Sequence, residues 1–406
     1  MTRTPLATVA LAVGLWATWA LPAQAQTSCA DLPNPLYLQV GDTQEPLMKT
    51  LGRQLRKTKV KELQTTLVYV TTGSCTNIEA MYKGTPITLN PKYVPSEEEA
   101  PDWKTTDAAP TCVIASGGHE VEVANSALFV SACSDSAPPD GIKLFQGPNQ
   151  AYAFAVPEAS TQTAITAEEA YFVFGFGSAG MVEPWTDESF YFIRPTTKST
   201  LLALAAAIHV PGKSWHAPDE NKLDQSSQVV SALASSTEPE KSIGILGTEI
   251  YDRNRDKLSS LAFRAFGQKH AYFPDSKSTS FDKRNVRDGH YFPWSPTVWL
   301  THVDGAGKPT NKNAENLINL ILGNEIDPAP DFEPLASVVS VGLVPECAMS
   351  VTREKEGGDL SLYTPAEPCG CYFEKNVPEG STKCTTCDSD NPCATGKCRH
   401  GYCEAK

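Results

Sequence analysis

Short apolar runs and amphipathic segments alternate along most of the chain. The runs at 36–40, 67–70, 151–156 and 242–246 have the length and composition of buried strands. Segments such as 47–55 and 201–208 instead carry their apolar residues at the spacing of a helix. Strands that alternate with helices predict an α/β architecture.

The segment 190–215 contains the strongest indication of a ligand site. Four apolar residues lead to Arg194, a polar turn ends at Lys198, and Ser199 and Thr200 then open an apolar helix. Backbone amides at a helix N-terminus favour negative charge. Cationic side chains and hydroxyls beside such a terminus therefore predict an anion site.

Two earlier turns repeat this arrangement. Gly41-Asp42-Thr43 follows the first predicted strand, and Gly73-Ser74 follows the second. Ligands of open α/β sheets bind at the carboxyl ends of the strands. We therefore expect Thr43 and Ser74 to line the same site as the turn after Arg194.

Each of these residues also has a structural interpretation. Arg194 could pair with a surface acid such as Asp187 or Glu188, and Lys198 could be a solvated turn residue. The hydroxyl residues at helix starts could be N-caps only. Their convergence on one cleft would favour the ligand site.

Three further segments give weaker predictions. Residues 258–266 predict a short apolar helix. The charged run 282–288 could form a metal or catalytic site, but an ion-pair cluster is the favoured interpretation. The G-x-G-x-x-G match at 175–180 follows a predicted helix rather than a strand, which favours an ordinary loop.

The N-terminus has the pattern of a secretory signal peptide. Arg3 provides the positive charge, 9–21 the apolar stretch, and Ala23-Gln24-Ala25 the cleavage site. We expect cleavage after Ala25 and no membrane span in the mature chain. A lipid anchor at Cys29 is disfavoured, because the three preceding residues include no aliphatic one.

Charge and cysteine content restrict the partners and the compartment. The 406 residues contain 34 basic and 47 acidic side chains, which argues against nucleic acid as a partner. The 12 cysteines predict disulfides in an exported protein, and Cys112 with Cys133 is one expected pair. Zinc would suit the Cys384-x-x-Cys387 motif, but export favours disulfides there.

The order of these elements resembles the phosphate-type solute-binding proteins of bacterial ABC importers. The resemblance covers roughly residues 30–345 and uses the turns at 41–43 and 73–74, the segment AITAEEAYFVFGFG, the PWTD at 184–187 and the element from Arg194 to Thr200. It implies a two-lobed type II periplasmic-binding-protein-like fold, of class α/β. A small disulfide-rich C-terminal module would follow it.

The resemblance also implies which residues hold the ligand. The first lobe would contribute Thr43, Ser74, Asn125 and Ser126, and the second lobe Arg194, Lys198, Ser199 and Thr200. Two positions depart from the family pattern, which has Ser-Gly where Lys198-Ser199 stand and a carboxylate near Asn125-Ser126. The identity of the oxyanion is therefore open.

These observations predict a non-enzymatic protein, periplasmic or secreted, that captures a small anion such as phosphate. No cofactor, metal or catalytic residue is predicted, and the partner would be an ABC permease or a cell-surface protein. The alternatives are an interaction or structural protein that retains the fold and a secreted phosphatase-like hydrolase. The predicted division is 1–25 signal peptide, 26–146 with 268–345 the first lobe, 147–267 the second lobe, and 346–406 the Cys-rich module.

Overall fold

The computed structural model describes residues 27–394 and 396–404 of the chain. The predicted signal peptide, residues 1–25, lies outside them. The elements before residue 160 are β1 (Pro35–Gly41), α1 (Glu45–Lys57), β2 (Thr66–Thr72), α2 (Ser74–Lys83), β3 (Lys92–Tyr93), β4 (Val123–Ser126) and β5 (Ile142–Pro157).

The middle of the chain supplies β6 (Ala164–Thr166), α3 (Ala167–Phe176), β7 (Tyr191–Phe192), α4 (Ser199–Ile208), α5 (Ser226–Ala234), β8 (Ile243–Gly247), α6 (Thr248–Tyr251), β9 (Leu258–Ser260) and β10 (Ala262–Arg264). The remaining elements are α7 (Arg284–Arg287), β11 (Trp294–His302), α8 (Lys312–Leu322), α9 (Pro334–Ser340), β12 (Val351–Thr352), β13 (Ser361–Leu362), α10 (Gly370–Asn376), β14 (Lys397–Arg399) and β15 (Tyr402–Glu404).

One curled sheet runs through both lobes. Its strand order is β3-β2-β1-β4-β11-β5-β8-β7, with β9 also paired to β5. The 16-residue β5 joins the lobes, because its first part pairs with β11 and its last part with β8 and β9. The predicted α/β architecture and two-lobed fold are confirmed.

Each lobe buries apolar side chains on both faces of this sheet. In the first lobe, one face packs around Leu38 and Trp299 and the other around Tyr37 and Met81. In the second lobe, a large core around Phe154 packs on one face, and a smaller group on the other. The two lobes therefore have separate cores and share the strand β5.

The predicted division of the chain stays a prediction, and one part of it differs from the packing. Val286, Tyr291 and Trp294 fall within 268–345, the part assigned to the first lobe. Their side chains pack in the large core of the second lobe. The chain therefore returns to the first lobe only with the later residues of β11.

The predicted helix over 258–266 is wrong. Its residues form β9, which pairs with β5, and β10, which pairs with β6. Each strand is only three residues long and gains its stability from a neighbour that is distant in sequence. Local apolar content cannot reveal such pairing.

Six disulfides join all 12 cysteines, and no described cysteine is free. The predicted pair Cys112–Cys133 is wrong, because Cys112 is bonded to Cys29 and Cys133 to Cys75. The disulfide occupies the Cys29 thiol that a lipid anchor would need. The C-terminal pairs are Cys347–Cys369, Cys371–Cys384, Cys387–Cys398 and Cys393–Cys403.

The C-terminal module combines two kinds of stabilisation. Tyr372 and Phe373 of α10 are buried in the core of the second lobe. The later residues have few buried apolar side chains, and three disulfides hold them. The module is thus attached to the second lobe by packing as well as by the covalent chain.

Candidate functional site: a polar cleft between the lobes

The turns after several strands face one another between the lobes. The backbone N–H of Cys75, at the start of α2, donates to the carbonyl of Thr197 in the turn before α4, at 3.2 Å. A Cβ on Gly73 would lie only 2.5 Å from that same carbonyl oxygen. Glycine at position 73 therefore allows the two lobes to close onto each other.

A buried ion pair joins the lobes beside this contact. Nη2 of Arg194 lies 2.9 and 3.0 Å from the two carboxylate oxygens of Asp42. The same guanidinium donates to the carbonyls of Leu223 and Asp224, at 2.8 and 2.7 Å, and to Ser226 Oγ. Asp42 also accepts from the N–H and hydroxyl of Ser226, at 2.9 and 2.8 Å. Both charges are thus well hydrogen bonded.

Burial and neighbouring charges shift the pKa values of Asp42 and of the nearby Lys198. Burial alone would raise the pKa of Asp42, but the charge and hydrogen bonds of Arg194, with Lys198 and the Ser226 amide, lower it below its ordinary value. Burial lowers the pKa of Lys198, although Asp42 and Asp224 oppose this. Asp42 is therefore a carboxylate at neutral pH.

The partner of Arg194 differs from the surface acids considered from sequence. Asp187 accepts from the N–H and hydroxyl of Ser189, and Glu188 from the N–H of Ser178. Arg194 pairs with Asp42 in the other lobe. The structural alternative of a surface pairing is therefore wrong, because Arg194 is buried and pairs with a carboxylate of the other lobe.

Three buried polar atoms in the same cleft lack a partner among the described residues. They are Thr43 Oγ1, Asn125 Oδ1 and Thr200 Oγ1. A Cβ on Gly41 would lie 3.5 Å from Thr43 Oγ1 and 3.9 Å from Asn125 Oδ1, so these two atoms line one space. An unpaired buried polar group destabilises a fold by about 1–3 kcal/mol. Each of these oxygen atoms can therefore take part in a further hydrogen bond.

Two of the three predicted serines are hydrogen bonded within the protein through their side chains. Ser74 Oγ accepts from the Ala127 N–H at 3.0 Å, and Ser126 Oγ donates to the Leu128 carbonyl at 2.8 Å. Ser199 lies close enough to the hydroxyl of Tyr152 to lower the pKa of that phenol. Their hydroxyls stabilise the cleft walls, and those of Ser74 and Ser199 also lie at helix starts that face it.

Tyr152 connects the two lobes at the base of the cleft. It lies on β5, where its hydroxyl donates to the Ala127 carbonyl and lies near Ser199 of α4, which lowers the pKa of the phenol. Burial raises the pKa of Tyr152 far above its ordinary value, so the phenol stays neutral. Nothing in the sequence around Tyr152 distinguishes it from the other aromatic residues of an apolar strand.

A second polar cluster lies next to the strand that joins the lobes. Gln44 donates to Gln150, and Gln150 donates to Glu249 at 3.4 Å. Burial raises the pKa of Glu249 to about 8, with Asp252 and Asp42 adding to the effect. Gln44 Oε1, Thr248 Oγ1 and Glu249 Oε2 have no partner among the described residues. Glu249 is therefore a neutral acid at pH 7.

The charged run at 282–288 belongs to a separate ion-pair cluster. Nζ of the buried Lys283 lies 2.8 Å from Asp252 and 3.0 Å from Asp275. Arg255 contacts the same two carboxylates, at 2.6 and 2.8 Å. The charges neutralise one another, as expected for a cluster that fixes a loop.

The eight predicted ligand residues therefore fall into three groups. Thr43, Asn125 and Thr200 are buried, and each has one side-chain oxygen atom without a partner among the described residues. Ser74, Ser126 and Ser199 are buried in the cleft walls, whereas Arg194 and Lys198 are buried beside Asp42. Sequence reasoning missed four neighbours of the site, namely Asp42, Tyr152, Ser226 and Glu249. Asp42 could have been found, since it lies in the turn that was singled out.

No helix within residues 27–394 and 396–404 is long and apolar enough to cross a membrane. No family model matches the sequence, and no match was found among curated proteins. Comparisons with solved structures did find similar folds.

A proposed phosphate ABC transporter substrate-binding protein from Clostridium perfringens, solved with bound phosphate, is similar over 77% of this chain and 99% of that one. The identity is 12% and the TM-score 0.51. An ABC-type phosphate transport receptor from Vibrio cholerae matches over 77% and 100%, at 11% identity and a TM-score of 0.47. The regulatory domain of OxyR2 from Vibrio vulnificus matches over 73% and 97%, at 11% identity and 0.37. The first match supports a periplasmic-binding-protein-like fold, and the two lower scores add nothing to it.

Proposed function

We propose that this protein is an exported solute-binding protein that captures a small oxyanion, phosphate or a related ion, between its two lobes. The observation that carries the proposal is the group of unpartnered buried atoms at Thr43, Asn125 and Thr200. Thr200 lies in the first turn of α4, Thr43 lies just before α1, and the backbone carbonyl of Asn125 on β4 accepts from Asn77 in the first turn of α2. Helix N-termini and hydroxyl donors together suit an oxyanion.

Some of these residues would contact the ligand, and the others would hold the walls of the cleft in place. Thr43 and Thr200 would donate hydroxyl protons to the ligand, and Lys198 would contribute positive charge. Asn125 would accept from a protonated oxygen of the ligand. Ser74 and Ser199 could turn their hydroxyls toward the ligand, while Ser126 and the Asp42–Arg194 pair would hold the walls in place.

The disulfides and the structural similarity support the proposal of an exported receptor. Six disulfides are typical of an oxidising compartment. The bacterial protein with the 0.51 match is described as serving an ABC transporter. A membrane permease is accordingly the partner that we propose, with a cell-surface protein as the alternative, and we propose binding rather than catalysis.

Isothermal titration calorimetry tests the proposal directly. The mature protein is unfolded without reductant, washed free of retained ligand and refolded, then titrated with inorganic phosphate, sulfate and a simple phosphate ester. We expect one of these to bind and Thr200→Val to weaken its binding about 10-fold or more, since a hydrogen bond to a charged group contributes about 1.5–3 kcal/mol.

Thr163→Val is the matched control, because Thr163 is exposed in the second lobe. It should bind like the wild type. If no anion binds the refolded wild type, the receptor proposal fails. Equal losses in the two threonine variants would contradict the assignment of the site.

One observation favours a second function, that of an interaction scaffold. The Asp42–Arg194 pair already joins the lobes through the protein's own charges. A fold closed in this way could serve as a rigid surface without transport. Failure of every anion in the titration would favour this function.

A further inference from the structure

A buried chain of hydrogen bonds lies beside the group formed by Thr43, Asn125 and Thr200, which is called the oxyanion site below. In this chain Gln44 Nε2 donates to Gln150, and Gln150 Nε2 donates to Glu249 Oε1 at 3.4 Å. All three side chains are 1% exposed or less. Because both amide nitrogens act as donors, two oxygen atoms are left without partners among the described residues. They are Gln44 Oε1 and Glu249 Oε2, called the acceptor pair below.

The acceptor pair lies at the same edge of the sheet as the turns of the oxyanion site. Gln44 lies in the turn after β1 that also contains Asp42, and Asp42 contacts Arg194 at 2.9 Å. Glu249 lies in the turn after β8. β8 is parallel to β7, and Arg194 follows β7, so the carboxyl ends of these two strands place Glu249 and Arg194 at one edge. The two sets of oxygen atoms thus line one cleft.

The acceptor pair needs a different ligand group from the oxyanion site. The hydroxyls of Thr43 and Thr200 can donate to an oxyanion, whereas an amide oxygen or a carboxylate oxygen accepts only. An oxyanion itself offers mainly acceptors and therefore cannot satisfy the pair. An ammonium group carries three N–H donors and a positive charge. The buried hydroxyl of Thr248, next to Glu249 and likewise unpartnered in the part of the chain that the structure describes, can supply a third acceptor.

We propose that the solute carries an ammonium group besides its oxyanion, and that Gln44 Oε1 and Glu249 Oε2 bind this ammonium. The inference rests on the proposed function, because the oxyanion would occupy the site with Thr43 and Thr200. The substrate class is then a short zwitterion, such as a phosphate ester that bears an amine. Inorganic phosphate would fill only one end of the cleft.

The charge of Glu249 changes when such a ligand binds. Burial raises the pKa of Glu249 to about 8, so the free protein holds a proton there at pH 7. The charged groups around this carboxyl are Asp42 and Asp252, which add to the rise, and Arg253, which opposes it. A nearby cation lowers the pKa of a carboxyl group. The ammonium therefore replaces the proton, which is released to the solvent.

Isothermal titration calorimetry of the refolded mature protein tests the ammonium contact. The probes are 2-aminoethyl phosphate and ethyl phosphate, which differ only in the amino group. We expect the amine to tighten binding about 10-fold or more, because it adds hydrogen bonds between charged groups. Phosphocholine, whose cation has no N–H, should bind more weakly than 2-aminoethyl phosphate.

Glu249→Gln separates the two ends of the ligand. It removes the negative charge that pairs with the ammonium, so 2-aminoethyl phosphate should lose its advantage. Ethyl phosphate should bind this variant as tightly as it binds the wild type. Glu98→Gln is the matched control, since Glu98 is exposed and belongs to neither set of oxygen atoms. It should bind both esters like the wild type.

Titrations at pH 7 in two buffers with different heats of ionisation count the protons released on binding. The wild type should release about one proton more with 2-aminoethyl phosphate than with ethyl phosphate, because Glu249 loses its proton only to the amine. Glu249→Gln should show no such difference. A merely structural role for Glu249 would change neither count.

The possible failures are distinguishable. Equal affinity of the wild type for the two esters would overturn the ammonium contact and leave the oxyanion proposal intact. Equal losses of both esters in Glu249→Gln would also overturn it, as would phosphocholine binding as tightly as 2-aminoethyl phosphate. If inorganic phosphate, sulfate and both esters all fail to bind, the proposed function fails and this inference fails with it.

Discussion

Two groups of buried polar side chains lie side by side in the cleft and differ in how completely they are hydrogen bonded. Asp42, Arg194 and Ser226 satisfy one another and nearby carbonyls across the lobe boundary. Thr43, Asn125 and Thr200 are equally buried but leave oxygen atoms without partners. The first group has the properties of a structural link, and the second is the group that we propose binds the ligand.

The largest expected effect comes from breaking the satisfied group. Arg194→Met leaves the Asp42 carboxylate buried without its cation, which should lower the free energy of unfolding by about 3–5 kcal/mol. Urea unfolding monitored by circular dichroism measures this. Arg264→Met is the control, because Arg264 and its partner Glu168 are 38% and 48% exposed, and such a pair contributes less than about 1 kcal/mol. A loss below about 1 kcal/mol for Arg194→Met would contradict the structural role.

The pH dependence of stability extends the comparison to Glu249, whose carboxyl group has one oxygen atom without a partner among the described residues. Its folded pKa of about 8 lies above the ordinary value, so the unfolded chain loses this proton first as pH rises. Stability should therefore fall by up to about 1.4 kcal/mol per pH unit between about pH 4.3 and pH 8. Glu249→Gln, which mimics the neutral acid, should remove this slope and stabilise the protein at pH 8 by about 4–5 kcal/mol.

Unfolding curves at several pH values measure the difference between Glu249→Gln and wild type. The two proteins should be alike near pH 4 and diverge as pH rises. Glu98→Gln is the control, since Glu98 is exposed and has no partner among the described residues. Parallel stability profiles for wild type and Glu249→Gln would show that Glu249 is ionised in the folded protein.

The smallest expected effects come from removing a single hydroxyl from each of the two groups. Ser226→Ala removes a hydroxyl that both Asp42 and Arg194 use, and should destabilise the protein by about 1–3 kcal/mol. Thr200→Val removes a buried hydroxyl that has no partner among the described residues, and should leave stability unchanged or raise it by up to about 1–3 kcal/mol. Thermal unfolding in anion-free buffer compares the two. A loss of stability in Thr200→Val would mean that its hydroxyl has a structural partner.

The sequence predicted the alternation of strands and helices well, because apolar spacing reports burial directly. The strands at β1, β2 and β8 and the helix α4 all lie where their patterns place them. Prediction from sequence failed where an element is stabilised by a partner that is distant in the sequence. β9 and β10 are defined by their pairing with β5 and β6, and the local composition of 258–266 gives no sign of it.

The site residues, like the strands and helices, could be predicted only where the local sequence carries the information. The sequence predicted the turns with Thr43, Ser74 and Thr200, because glycine and hydroxyl residues that follow a strand indicate such a turn without information from distant residues. The partner of Arg194 was missed, because Asp42 lies in the other lobe and only the closed fold brings the two together. The disulfides Cys29–Cys112 and Cys75–Cys133 were missed because their cysteines are 83 and 58 residues apart in the sequence and only the folded first lobe brings them together.

The position of β11 has a consequence for how the molecule is assembled. This strand lies between β4 and β5, yet it is synthesised long after both. Until it arrives, its two neighbours present open edges that could pair with other chains. A nascent chain that folded from its N-terminus would thus pass through an aggregation-prone stage. A chain that is translocated unfolded and folds only once complete would avoid that stage, so late insertion of a central strand favours folding after export.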